Sequence, residues 1–291
     1  MTWQQTGDAS QQRRPLFPGW RMGRPPIPHE HGAWIILYAP LILGFAASPR
    51  FSPLPSLMLL ITVTGLFLSR PLIGALLRQR GGPQSAFWLG VYLLVSAAGA
   101  LSLLSAHRLY ALIWLGLPMG LLFLIHVGLQ LKPTRRRLDR SLGGEILAVG
   151  ALTLTAPAGV VAGGGALNAD AWRLWALCAL YFSSGIFYVK MLLAALTIRG
   201  TLEKQERRRI GQEQRVYHAL LPVLVGVLCI GCPLLKIALI ELAIVPVMVR
   251  AYIGQARLSN RKPSFQRIGM LESLYALWFT VCVLLSHRVS M

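Results

Sequence analysis

Three ionisable side chains stand together in Pro28-His29-Glu30-His31-Gly32-Ala33-Trp34, directly ahead of the first long apolar run of the chain. Charge at the mouth of an apolar helix is costly to hold there, which makes these residues functional candidates. Imidazole and carboxylate side by side can bind an anion, or hold and pass on a proton. Pro28 suits the first turn of a helix, because its missing N–H is one the helix has no use for. The first-turn amides around His29, Glu30 and His31 then face outward unpaired, a geometry that can receive an anion. Metal ligation is the weaker reading, and no metal ligands are assigned. His29 and His31 lie about 200° apart around a helix and can share one ion only in an extended segment. The His-Glu-x-x-His spacing of zinc peptidases is absent.

More polar residues sit at the ends of other apolar runs: Arg70, Glu145, Lys190, His218 and Glu272, with His126 slightly deeper. Whether they can meet depends on the elements that carry them. Of 291 residues, 55% are hydrophobic and only 13% charged, and the mean hydropathy is +0.56, so the main solvent of this chain is lipid. The net charge of +19 falls in short clusters between apolar runs and forms no basic face, which excludes a nucleic-acid binder.

The fold class expected is all-α, a polytopic membrane bundle. Nine transmembrane helices are placed near 33–48, 54–69, 86–105, 109–131, 142–163, 172–196, 216–232, 234–250 and 268–286. Residues 1–27 read as a disordered basic tail and 28–291 as a single transmembrane domain. Arg13-Arg14 is followed by further Pro and Arg instead of an apolar core, so it is not an export signal. With the N-terminus inside, the inner segments carry 23 Lys and Arg against 4 outside, which predicts an N-in, C-out orientation. The polar residues then converge on the cytoplasmic half.

Each also has a structural reading. Lys190 can snorkel to the headgroups, and Arg70 can be a stop-transfer charge. Glu145 and Glu272 suit the first turn of their helices and can pair with loop arginines such as Arg140 or Arg267. Cys229-x-x-Cys232 lacks any thioredoxin-like setting, so it is read as packing. Gly116-x-x-x-Gly120 and Gly159-x-x-x-Gly163 fit close helix contacts, and Tyr181, Ser184, Gly185 and Tyr188 form one stripe. The first and fifth helices share an acidic start and a later Ala-Pro, a weak sign of two four-helix halves.

The head stretch Pro28–Trp34 resembles that of the YwiC-like family, multi-pass bacterial membrane proteins of unknown function. Gly144-Glu145, Tyr188-Val189-Lys190 and His218 are weaker echoes. The resemblance implies a bacterial inner-membrane protein, emphasises Glu30 and His31, and implies no activity. The nine-helix architecture is also distantly similar to UbiA-type prenyltransferases. Their two Asp-rich motifs correspond to Leu68-Ser69-Arg70-Pro71-Leu72 and Tyr188-Val189-Lys190-Met191, which hold no Asp, so prenyl diphosphate chemistry is not expected.

The site expected is a cytoplasm-facing cavity with His29, Glu30, His31, Arg70, Glu145, His218 and Glu272 as ligand-binding residues. Two functions stay open: binding or transport of a small anionic or protonatable solute, and a transferase-like enzyme acting on a lipid or quinone-type substrate. The partners expected are the bilayer and a small ligand. No cofactor, catalytic residue or oligomeric state is assigned.

Overall fold

The computed structural model describes residues 31–78, 82–131, 141–198, 204–258 and 264–288. The tail 1–27, His29, Glu30 and the 132–140 segment with Arg140 lie outside the described residues, as do the side chains of His31 and His126. Every described element is an α-helix, and each of the nine apolar runs is helical. In chain order they are α1 (His31–Ala46), α2 (Pro53–Leu77), α3 (Pro83–Ser105), α4 (Ala111–Leu131), α5 (Leu142–Thr153), α6 (Thr155–Ala162), α7 (Ala169–Ala195), α8 (Lys204–Ile210), α9 (Gln212–Leu228), α10 (Leu234–Ala256) and α11 (Phe265–Arg288).

Among the described residues five segments are long and apolar enough to cross a membrane: Pro53–Leu77, Pro83–Ser105, Leu142–Ala162, Ala169–Ala195 and Gln266–Arg288. Gly32–Ala46 and Ala111–Ile125 are shorter apolar helices. Local chemistry sets several starts. Pro53 opens α2 and Pro83 opens α3, where a missing N–H costs nothing. Asn168 caps α7 by accepting from the Ala171 N–H at 3.1 Å. The unexpected short helix α8 is strongly basic and joins α7 to α9.

The fifth apolar run, expected as one helix over 142–163, is one membrane-length segment, Leu142–Ala162, with a local interruption at Leu154. Pro157 has no N–H for the Thr153 carbonyl, and α5 gives way to α6 at Leu154. The Thr155 hydroxyl bridges the gap by donating to the Leu37 carbonyl of α1 at 3.0 Å and to Leu152 at 2.9 Å. That region is the centre of the protein. One core cluster joins α1, α5 and α6 to α7, α9, α10 and α11; the other joins α1 and α6 to α2, α3 and α4.

Close approach of α1 and α6 requires glycine. A Cβ on Gly44 would lie 2.1 Å from the Ala156 carbonyl oxygen, and one on Gly159 2.7 Å from that of Leu41. The Ser48 hydroxyl donates to the Val160 carbonyl at 3.0 Å in the same crossing. Gly159 and Gly163 thus pack against α1, whereas a Cβ on Gly116 or Gly120 meets nothing within 4 Å. Among the described residues the Gly116 motif makes no close contact. Gly159→Val should destabilise the protein by about 3 kcal/mol, because backbone cannot yield to the added methyls. Thermal unfolding in detergent micelles measures this, and the same change at Gly116 serves as the mild control.

Candidate functional site

Among the polar residues singled out by sequence, Glu145 stands in the first turn of α5, His218 and Glu272 in the second turns of α9 and α11, and Lys190 near the end of α7. Ser141 caps α5, its hydroxyl accepting from the Gly144 N–H at 3.1 Å, and Glu145 falls in the first turn. The positive end of the helix dipole favours a carboxylate there. Glu145 Oε1 lies 3.2 Å from Nζ of Lys190 on α7. Lys190 therefore reaches across to α5, and among the described residues it is the ion-pair partner of Glu145.

Glu272 on α11 pairs with Arg250 on α10. Arg250 is 8% exposed and has Tyr188 of α7 with its ring centroid 4.4 Å away and Tyr275 of α11 at 5.8 Å. A charge contact and two aromatic faces hold the guanidinium. Tyr188 in turn rests on Gly254, where a Cβ would come within 2.5 Å of the ring. Only glycine admits the ring at that depth.

Between α1, α5, α7 and α11 lies a cavity of about 270 Å³. Glu145 and Glu272 both line it, with Gly32, Tyr181, Ser184 and Gly185. Two carboxylates from helices far apart in sequence therefore face one space, each held by a cation that does not itself line it. Gly32 places the described part of the head stretch at the same wall. The expected stripe on α7 divides: Tyr181, Ser184 and Gly185 face the cavity, while Tyr188 turns to Arg250.

Two expected residues lie elsewhere. Arg70 lines a separate cavity of about 110 Å³ with residues of α4 and α5. His218 is 0% exposed and does not line the carboxylate cavity. Its Nδ1 lies 2.8 Å from the Gln214 carbonyl oxygen, and Nε2 has no hydrogen-bond partner among the described residues. His218 belongs to the interior packing of α9.

Arg250 is the site residue that sequence reasoning missed. The inner basic count of the sequence includes it, but α10 runs on to Ala256 and the guanidinium is interior. The clue was present. Ile240, Ala243, Ile244 and Val247 form a buried helical stripe, and Arg250 and Ala251 continue it at the same spacing.

The family model for YwiC-like proteins matches residues 27–160, which contain the head stretch and Glu145. The chain is also 27% identical over 255 residues to an uncharacterised protein, YwiC of Bacillus subtilis (strain 168), an alignment covering 87% of this chain and 94% of that protein. No solved structure matches the chain significantly. The family match over residues 27–160 and the lengthwise similarity agree with the reading of Pro28–Trp34, and the chain is similar to YwiC-like proteins over these stretches.

Proposed function

We propose that this chain is a nine-helix integral membrane protein of the bacterial inner membrane that binds or transports a small protonatable solute. Its N-terminus lies in the cytoplasm, residues 28–291 form one transmembrane domain behind a basic tail, and the site opens to the cytoplasm. The observation that carries the reading is the shared cavity of Glu145 and Glu272, two carboxylates in an apolar wall. Ionisable groups are expensive inside a membrane, and two aimed at one space fit proton exchange or a basic solute better than separate structural roles. A solute bearing a protonated amine can take the place of Lys190 or Arg250 at either carboxylate. A small anion is the lesser form of the reading, since it would meet carboxylates first. His29, Glu30 and His31 stand at the mouth in this proposal.

Dicyclohexylcarbodiimide tests it, because the reagent attacks protonated carboxyls in apolar surroundings. Labelling, located by peptide mass spectrometry, should fall on Glu145 and Glu272, the carboxyls of the shared cavity. Glu145→Gln and Glu272→Gln should each remove their own adduct. Reaction at exposed Glu213 with both cavity glutamates spared would overturn the proposal.

A further inference from the structure

The widest cavity described lies away from the two carboxylates. It is a groove of about 980 Å³ between α7, α8 and α9, and it shares no lining residue with the Glu145–Glu272 cavity. Its walls are apolar, including Met191, Ile198 and Leu220, and its rim carries Lys190, Glu206, Arg209 and Glu213. α7 is a candidate membrane span, so its C-terminal end, where this rim stands, lies at a membrane–water boundary. An apolar trough under a charged rim at that level fits an amphiphile.

Gln214 makes the groove more than a surface depression. It lines the groove while being only 1% exposed, and neither Oε1 nor Nε2 has a hydrogen-bond partner among the described residues. A buried primary amide without partners calls for an explanation, and a ligand that supplies an acceptor and a donor is one. The rim carries two cations and two anions, so its net charge is near zero. A purely anionic head would leave both carboxylates opposed; a zwitterion with a hydrogen-bonding ammonium satisfies both signs.

We propose that this groove binds one molecule of phosphatidylethanolamine. The phosphate lies toward Arg209 and Lys190, the primary ammonium toward Glu213 and Glu206, an ester carbonyl accepts from the Gln214 amide, and the acyl chains lie along the apolar wall. Lys190 also pairs with Glu145, so its share in the head-group contact is taken from an ion pair already formed.

Native mass spectrometry of the full chain in detergent micelles tests this. Phosphatidylethanolamine, phosphatidylcholine and phosphatidylglycerol with identical acyl chains are offered in equal amounts. One phosphatidylethanolamine should be retained with an apparent affinity about tenfold above either competitor. Arg209→Gln and Glu213→Gln, both at exposed positions, should each erase that preference, whereas Arg257→Gln, exposed at the end of α10, should keep it. Gln214→Met should weaken retention of all three lipids; if that variant does not fold, the two rim variants still decide. Equal retention of phosphatidylcholine would remove the ammonium from the argument and overturn the proposal. So would a preference for phosphatidylglycerol, or an equal loss in Arg257→Gln, either of which would mean attraction to general basic charge.

Discussion

Replacing Arg250 with leucine should cost about 3 kcal/mol, the lower end of the range for breaking a buried ion pair. The lower end applies because the Glu272 side chain is 27% exposed and recovers some hydration, although that of Arg250 is only 6% exposed. The loss arises chiefly from Glu272, left charged in an apolar wall, and secondarily from the ring faces of Tyr188 and Tyr275. Arg250→Lys should not restore stability, because an ammonium cannot stack its plane on Tyr188. A double change, Arg250→Leu with Glu272→Leu, should recover most of it, since neither charge is then stranded. Thermal unfolding of the wild type, Arg250→Leu, Glu272→Leu and the double variant in one detergent measures the cycle. A double variant as unstable as Arg250→Leu alone would mean that the pair itself does not hold α10 to α11.

The second large effect is all-or-none. In a background with Cys178, Cys229, Cys232 and Cys282 replaced by alanine, single cysteines are placed at exposed Arg208 in α8 and exposed Ala166 before α7. A membrane-impermeant maleimide applied to intact cells should label position 166 fully and position 208 only after the membrane is opened. The motive is the charge asymmetry. Even with Arg250 removed from the loop to the helix interior, 22 Lys and Arg remain on the proposed inner side against 4 outside. Labelling of position 208 from outside would invert the orientation and place the carboxylate cavity toward the periplasmic side. The quadruple alanine background also examines the cysteines, which are all free and of which Cys178, Cys229 and Cys282 are buried. If they serve packing alone, that background folds and labels normally.

The elements were legible in the sequence because lipid leaves the backbone few choices. A run of apolar residues long enough to matter must satisfy its own amides, and helix is how a single segment does so. Each of the nine runs is accordingly helical. Glu145 and Glu272 were legible for a related reason: a carboxylate beside apolar sequence stands out wherever the chain later goes. The sequence also carried enough of the Pro28–Trp34 pattern to place the chain near its YwiC-like relatives.

Partners were a matter for the tertiary structure. Lys190 and Arg250 each looked like a cation bound for the membrane surface, and each crosses to a carboxylate on another helix. Helical periodicity specifies which face a residue occupies, but not which helix covers that face. Arg70 and His218 show the converse. Both lie at helix levels compatible with the site, yet packing sends one to a separate cavity and the other into the interior of α9. The interruption at Leu154 was likewise decided in three dimensions. Pro157 interrupts the hydrogen-bond ladder while the chain stays helical through Leu154, and the Leu37 carbonyl accepts from Thr155 at that point across the α1–α6 crossing. Composition and spacing determined that this chain forms apolar helices, five of them among the described residues long enough to cross a membrane, with costly charges along them. Which of those charges face one another was settled by the order in which the helices pack, a long-range property that no local window of sequence contains.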